Sequence, residues 1–181
     1  DVWTDIAVGK PSLRHFDDTV KNLAFFKKFK KEVVNQKIIS SRRRAKNILI
    51  ELENKKFILI HLKMTGHLLY GKYKMSGKTW RAEEEGHLQD PYNKYIHFVF
   101  ALSNGKHLAF CDARKFGKIT LVSLPIEESI HLKNLGPEPL EKEFDLKKFT
   151  ERLSLKPNGK IKTVLMNQEI IAGIGNIYSD E

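Results

Sequence analysis

Ile96-His97-Phe98-Val99-Phe100-Ala101-Leu102-Ser103-Asn104-Gly105-Lys106-His107-Leu108-Ala109-Phe110-Cys111 decides the fold. Two apolar runs, 96–102 and 107–111, flank Ser103-Asn104-Gly105-Lys106. Asn-Gly accepts the positive φ of a tight turn, so this arrangement predicts an antiparallel hairpin. Asp112-Ala113-Arg114-Lys115-Phe116-Gly117 follows at once, setting two cations and an aromatic ring beside a glycine. A further strand is predicted over 118–122.

Upstream, residues 2–8 read as a short strand. Asp17 or Asp18 is placed to cap a helix running to about Val34, with Val20, Leu23, Phe26 and Phe29 at helical spacing. Strands are predicted at 38–39, 47–52 and 57–62, with Asn54 marking a turn. Residues 71–94 are polar and glycine-bearing and read as a long surface loop. Downstream, Leu135-Gly136-Pro137-Glu138-Pro139-Leu140 reads as a stiff linker, because two prolines fix φ and exclude a helix. Helical patterns follow at 145–153 and at 161–172, the second with Ile161, Val164, Leu165 and Ile171 on one side. The expected fold class is α+β: an N-terminal antiparallel β-sandwich with a helix over 1–124, a Pro/Gly hinge linker over 125–142, and the beginning of an all-α domain over 143–181.

The chain has 181 residues, enough to bury a real core. Its 32 Lys+Arg against 22 Asp+Glu leave a net charge of +10, which points to a polyanionic partner, nucleic acid ahead of a membrane surface. The bland alternative is a solubilising surface. Between 27 and 46, nine Lys/Arg (27, 28, 30, 31, 37, 42, 43, 44, 46) face a single acid, Glu32. No apolar run approaches a membrane span, and no secretory signal opens the chain. A single cysteine, Cys111, excludes an internal disulfide and a Cys-rich zinc site within these residues, and its apolar neighbours make it a small core residue. The chain starts at Asp1 without Met and stops at Glu181 inside a helical pattern, so a piece of a longer protein is expected.

Three segments carry candidate chemistry. Arg42-Arg43-Arg44-Ala45-Lys46, between two predicted strands, is either a charged strand edge or a phosphate clamp. Lys46 is its most informative member, because like charges lower a lysine's pKa and a partly neutral amine moves protons. In Asp112-Ala113-Arg114-Lys115-Phe116-Gly117, Arg114 and Phe116 would share one face of an extended segment and could enter the space left by an extruded base. The alternative is an Asp112–Arg114 salt bridge with Phe116 in the core. Met64 ends another strand at a glycine turn, where a core role is the alternative. In Gly173-Ile174-Gly175-Asn176, glycines permit close approach to phosphate, Asn176 is placed to cap the next helix, and Lys160 and Lys162 stand nearby. A plain helical hairpin is the alternative. His61 and His97, two of seven histidines, read as hydrogen-bonded core residues. No catalytic triad, Cys-His pair or nucleotide loop appears.

Together these segments resemble the formamidopyrimidine-DNA glycosylase family, bifunctional enzymes of DNA repair that excise oxidised purines and nick the strand. The resemblance rests on Arg43-Arg44-Ala45-Lys46, Ile60-His61-Leu62-Lys63-Met64-Thr65-Gly66, residues 112–117, residues 135–140 and residues 173–178, in that order. It implies an N-terminal β-sandwich, a hinge, a helix–two-turn–helix DNA-binding domain and a C-terminal zinc finger, with damaged double-stranded DNA in the cleft between the domains. It implies that Lys46 is the active-site lysine that touches the DNA backbone and assists the lyase step. Met64, Arg114 and Phe116 match the trio that fills the gap left by the flipped nucleotide, and Asn176 matches the asparagine on phosphate. Lys115 stands where the family has a second arginine, keeping the charge without the fork. Tyr95 stands where the family has a phosphate-touching histidine. The basic residue expected near the start of the helical domain falls around Pro157, with Lys156 or Lys160 as substitutes; Lys162 is a phosphate-binding candidate by its place near the glycine turn, not by the resemblance.

The family's nucleophile is an N-terminal proline followed by glutamate, and no such pair stands at Asp1. The zinc ligands are absent from these residues too, so zinc is expected for the full-length member and none is expected here. A fragment lacking both termini, inactive by itself, is therefore expected. The further expectations are a monomer without membrane association, in a bacterial cytoplasm at the nucleoid. The competing readings are an oxidised-pyrimidine glycosylase of the endonuclease VIII type and a non-catalytic binder of damaged DNA.

Overall fold

The computed structural model describes residues 17–181. The strand expected at 2–8 lies outside the described residues. The described chain divides into two compact units, 17–37 with 58–121 and 38–57 with 122–181.

The first unit opens with α1 (Leu23–Val33), which starts later than its sequence pattern implies. Its cap is Asn22, whose side-chain oxygen accepts the Phe25 N–H at 3.0 Å, not Asp17 or Asp18. The reason is upstream: Thr120 donates its hydroxyl to the Asp18 carbonyl, and the Val20 N–H donates to the Ile119 carbonyl at 3.0 Å, so 18–20 is committed before the helix begins. Phe26 and Phe29 are buried and meet the Phe98 ring edge-on at 6.0 and 5.9 Å. Four lysines, 27, 28, 30 and 31, occupy its exposed side.

A three-stranded antiparallel sheet orders β4 (His67–Gly71), β8 (His107–Cys111) and β7 (Ile96–Ala101). The β7–β8 turn falls where Asn104-Gly105 places it. Gly105 takes φ +76°, and the Asn104 side chain accepts the Lys106 N–H. Residues 71–94 correct the loop expectation. They contain a second hairpin, β5 (Tyr73–Ser76) with β6 (Thr79–Ala82), then 3₁₀ turns at His87–Gln89 and Pro91–Lys94. Lys74 and Met75 lie on its open side and read as loop, whereas Tyr73 and Leu88 join Ile96, Val99, Ala109 and Cys111 in a core against which Trp80 packs. Burial pushes the Cys111 thiol up to about 11, consistent with a packing residue.

In the second unit, β1 (Ile38–Arg44) pairs antiparallel with β2 (Asn47–Leu52), Arg44 opposite Asn47, with Ala45 at φ +50° in the turn. Arg42, Arg43 and Arg44 thus lie inside a strand. β1 buries neither face, so no apolar alternation marked it. The Arg42 guanidinium lies 5.3 Å from the Phe57 ring centroid. β3 (Lys56–His61) and β9 (Lys118–Ser123) each have residues in both units.

The helical part of this unit packs α2 (Leu146–Ser154) and α3 (Ile161–Met166) around Val164, Ile170 and Ile171, with Phe144, Phe149, Leu153, Leu165 and Ile174 against them. Asp145 caps α2 by accepting the Lys148 N–H at 2.7 Å. The helix expected over 161–172 stops at Met166. Its continuation is taken by outside partners: the Gln168 carbonyl accepts the Gly136 N–H at 2.8 Å, and Arg152 donates to the Ile170 carbonyl at 2.9 Å and to the Glu169 carbonyl. α4 (Asn176–Asp180) follows Gly175. Asn176 is its first helical residue and not its cap. Among the described residues, no helix is long and apolar enough to cross a membrane.

Candidate nucleic-acid interface

In the first unit the site is built on one carboxylate. Asp112 follows β8 and is fully buried. Its Oδ1 accepts the Thr65 hydroxyl at 2.5 Å and the Arg114 N–H at 3.2 Å, and its Oδ2 accepts the Gly117 N–H at 2.7 Å. Burial raises its pKa, but the Thr65 hydroxyl and the N–H groups of Gly117 and Arg114, with the Lys21 charge, outweigh burial and hold it below the ordinary range. Its carbonyl accepts from His97 Nε2 at 2.9 Å, and its N–H donates to the Tyr95 carbonyl at 2.9 Å. Gly117 cannot be larger, because a β-carbon there would stand 2.3 Å from Phe110 Cζ.

This knot turns 112–117 sharply, with Lys115 at φ +59°, and leaves three side chains outside. Met64 is 71% exposed and Phe116 47%. Arg114 Nη1 lies 3.2 Å from Met64 Sδ, and the guanidinium stands 4.9 Å from the Phe116 centroid. The segment is therefore a turn rather than an extended strand, yet Arg114 and Phe116 do come together. Phe116 is not in the core. Asp112 takes the backbone N–H of Arg114, not its guanidinium. The Lys115 carbonyl accepts Lys21 Nζ at 2.6 Å. Tyr95 is partly exposed beside the Lys94 ammonium, 5.1 Å from its ring.

In the second unit another buried carboxylate does similar work. Glu138 is 6% exposed. Its Oε1 accepts the Ala45 N–H at 2.7 Å and Arg44 Nη1 at 3.0 Å, and its Oε2 pairs with Arg43 Nη1 at 2.5 Å. Arg44 Nη2 also donates to the Gly136 carbonyl at 2.8 Å. Burial raises the Glu138 pKa, but the Ala45 N–H and the Arg44 and Arg43 guanidiniums prevail and hold it below the usual carboxylate range. The Gly-Pro-Glu-Pro stretch is thus anchored to the β1–β2 turn. Two of the three clustered arginines are ion-paired with it, and Lys46 follows directly. The Lys46 ammonium reaches Gly175, next to Asn176. Lys162 is ion-paired with Asp180, which ties α3 to α4.

The sequence reading gave Thr65 and Glu138 no role of their own, and took Asp112 as a salt-bridge partner of Arg114 rather than as the buried anchor of its loop. A lone acid closing an apolar strand, and an acid between two prolines, are the signals that could have pointed to the two carboxylates. His97 is buried on Asp112, as read, whereas His61 is half-buried at the end of β3 rather than in the core, its Nδ1 accepting the Lys63 N–H at 3.0 Å. Among the described residues no group of three or more His, Cys, Asp or Glu could hold a metal ion, and the residues present do not fit a zinc site.

Comparison with known proteins gives a consistent result. Residues 9–119 match the formamidopyrimidine-DNA glycosylase N-terminal domain, and 135–181 match the formamidopyrimidine-DNA glycosylase H2TH domain. The formamidopyrimidine-DNA glycosylase of Herpetosiphon aurantiacus is 40% identical over 153 residues, covering 84% of this chain and 50% of that protein. That of Oceanobacillus iheyensis is 36% identical over 178 residues, covering 94% of this chain and 56% of that protein. Among solved structures, a complex of Lactococcus lactis Fpg with abasic-site DNA matches at a TM-score of 0.68 and 32% identity, over 88% of this chain and 53% of that one. A Lactococcus lactis Fpg complex with FAPY-dG DNA matches at 0.68 and 32%, over 86% and 53%. The chain belongs to the formamidopyrimidine-DNA glycosylase family. It spans about half the length of the curated relatives it matches.

Proposed function

We propose that this protein acts in base-excision repair as a bifunctional glycosylase, excising oxidised purines such as formamidopyrimidine and 8-oxoguanine and cleaving the abasic strand by β-elimination. The observation that carries this reading is the exposed trio of Met64, Arg114 and Phe116, gathered around buried Asp112. A soft thioether, a cation and a ring presented together suit the gap that opens when a nucleotide leaves the stack. Matching Lactococcus lactis structures are complexes with damaged DNA, which supports the same partner here.

The residues divide the work. Arg114 and Phe116 fill the gap, Met64 replaces the stacking partner on the other side, and Lys115 and Tyr95 hold flanking phosphates. Lys46 contacts the DNA backbone and assists proton movement in the lyase step. Asn176 and Lys162 bind phosphate from the helical part. The attacking amine is the family's N-terminal proline: its nitrogen bonds to the sugar C1′ as the glycosidic bond breaks, and the base leaves with that electron pair and a proton. In the resulting iminium, loss of the C2′ proton expels the 3′ phosphate. The family's zinc finger is supplied from outside residues 1–181. The protein works as a monomer in the bacterial cytoplasm, at the nucleoid. Residues 1–124, 125–142 and 143–181 serve as sandwich, hinge and helical DNA-binding domains.

The test extends the chain with the family's N-terminal Pro-Glu segment and zinc finger. It is then given duplexes carrying one 8-oxoguanine, or one oxidised pyrimidine, opposite cytosine or its normal partner. Faster release of the oxidised purine with strand cleavage is expected. Preference for the pyrimidine supports the endonuclease VIII-type reading. Tight damage-selective binding without any cleavage supports the non-catalytic one.

A further inference from the structure

Met64 and Arg114 stand fifty positions apart in the chain and come from two separate loops, yet their side chains lie 3.2 Å apart. A thioether is a weak acceptor, and both side chains are exposed. That contact cannot fix the relation of the two loops. The Thr65 hydroxyl can. It donates to buried Asp112 Oδ1 at 2.5 Å and lies 3.2 Å from the Arg114 N–H, which donates towards it. One hydroxyl, adjacent to Met64, therefore bonds both the carboxylate and the backbone of the loop that carries Arg114 and Phe116. Asp112 Oδ2 holds the far end of that loop at Gly117. The Met64 loop is itself narrow, because a β-carbon on Gly66 would stand 2.3 Å from the Leu62 carbonyl oxygen.

We infer that Thr65 is a positioning residue for damage recognition: its hydroxyl, bridging Asp112 and Arg114, holds Met64 in register with Arg114 and Phe116. This rests on the reading of that trio as the void-filling group. A wedge assembled before binding spares the ordering of three long side chains at the moment the nucleotide leaves. Intact duplex offers no void, so it gains nothing from that order. Losing the hydroxyl therefore reduces selectivity for the gap and leaves general affinity alone. The buried carboxylate also loses its shortest partner, but keeps two backbone N–H donors and so remains in place.

The chain of residues 1–181 is titrated by fluorescence anisotropy with two duplexes. One carries a tetrahydrofuran abasic analogue and the other is intact. Thr65→Val, which keeps the shape, is expected to lower the abasic-to-intact affinity ratio about tenfold, with intact-duplex affinity within about twofold of the parent. Thr65→Ser, which keeps the hydroxyl, is expected to restore the ratio. In a Met64→Ala background, Thr65→Val is expected to have no further effect, because the register it sets no longer matters. A Thr65→Val ratio equal to the parent's, a Thr65→Ser variant as deficient as Thr65→Val, or fully additive losses would each overturn the inference. If Thr65→Val does not fold, Thr65→Ala and Thr65→Ser carry the same comparison. A parent with no abasic preference refutes the void-filling reading itself. A parent with the preference, unchanged in Thr65→Val, refutes only the role of Thr65.

Discussion

The Lys46 ammonium lies over the bare α-carbon of Gly175: a β-carbon there would stand 3.3 Å from Nζ and 3.8 Å from Cε. The lysine in the β1–β2 turn thus meets the turn that opens α4, 129 positions later in the chain. Gly175 has extended backbone, φ −123°, that any residue adopts, so proximity and not conformation is what a side chain would disturb.

Gly175→Ala should therefore divide function from stability. The group in the way is the flexible end of a lysine, so folding should lose less than about 1 kcal/mol, the scale of an N-cap change. The amine must still shift by a few tenths of an ångström. In the protein carrying the family's N-terminal proline, strand cleavage should slow on the order of tenfold. A melting curve and a cleavage time course on abasic DNA check both halves. Normal cleavage would show that the amine's position there is immaterial.

Glu138→Gln removes the charge that Arg43 and Arg44 share. Gln keeps the shape but leaves Arg43 without its ion pair and Arg44 with only Glu141, 4.0 Å away, at a cost of about 2–3 kcal/mol. For a chain of this size that is a fall in Tm of roughly 4–12 °C. Because Ala45 leads directly to Lys46, cleavage should slow as well. A Tm within 2 °C of the parent, about 1 kcal/mol or less, would contradict this weight on Glu138.

The acid side of the stability curve follows from the same groups. Asp112 and Glu138 are both held below their ordinary values in the folded protein. As pH falls, the unfolded chain takes up these protons first. The stability they contribute is complete above the ordinary carboxylate range, near pH 4, and is lost as pH drops through the folded values. Tm measured from pH 7 to 3 should fall below about pH 4.5. The fall should be shallower in Glu138→Gln. Parallel curves for the two proteins would remove Glu138 from the account.

How far the sequence reached follows from where each determinant lies. The β7–β8 hairpin was legible because Asn104-Gly105 is a local instruction. The family match was legible in the same way, from short motifs in order. Residues 42–44 were not legible as strand, because β1 buries neither face. The β5–β6 hairpin was hidden by its polar open side. The early end of α3 depends on Gly136 and Arg152, which no local pattern announces. The site divides likewise: Met64, Arg114, Phe116 and Lys46 could be named from motifs, whereas Asp112 and Glu138 act through partners as far as 94 positions away.

Salt dependence tests the role of charge. With +10 net charge and lysines 27, 28, 30 and 31 exposed on α1, binding to duplex should weaken linearly in log K against log salt. Each lysine that touches a phosphate should flatten the slope by about one unit when replaced by alanine. A titration independent of salt would exclude phosphate as the partner.

Lys46→Ala, in the protein extended with the N-terminal proline, should slow strand cleavage yet still give a borohydride-trapped adduct with abasic DNA. Residues 1–181 without that proline should give none, because the secondary amine proposed to form the imine is then missing. Strong trapping by that chain, lost on Lys46→Ala, would make Lys46 the nucleophile.

The central claim is that Arg114 and Phe116 occupy the space a flipped nucleotide leaves. The most direct measurement is the affinity of Arg114→Ala and Phe116→Ala for abasic and intact duplexes, side by side. Unstacking costs a few kcal/mol, which the wedge offsets only when a gap exists. The account predicts that each variant loses far more affinity for abasic than for intact DNA. Equal losses on both would show that these side chains are general contacts, and would contradict it.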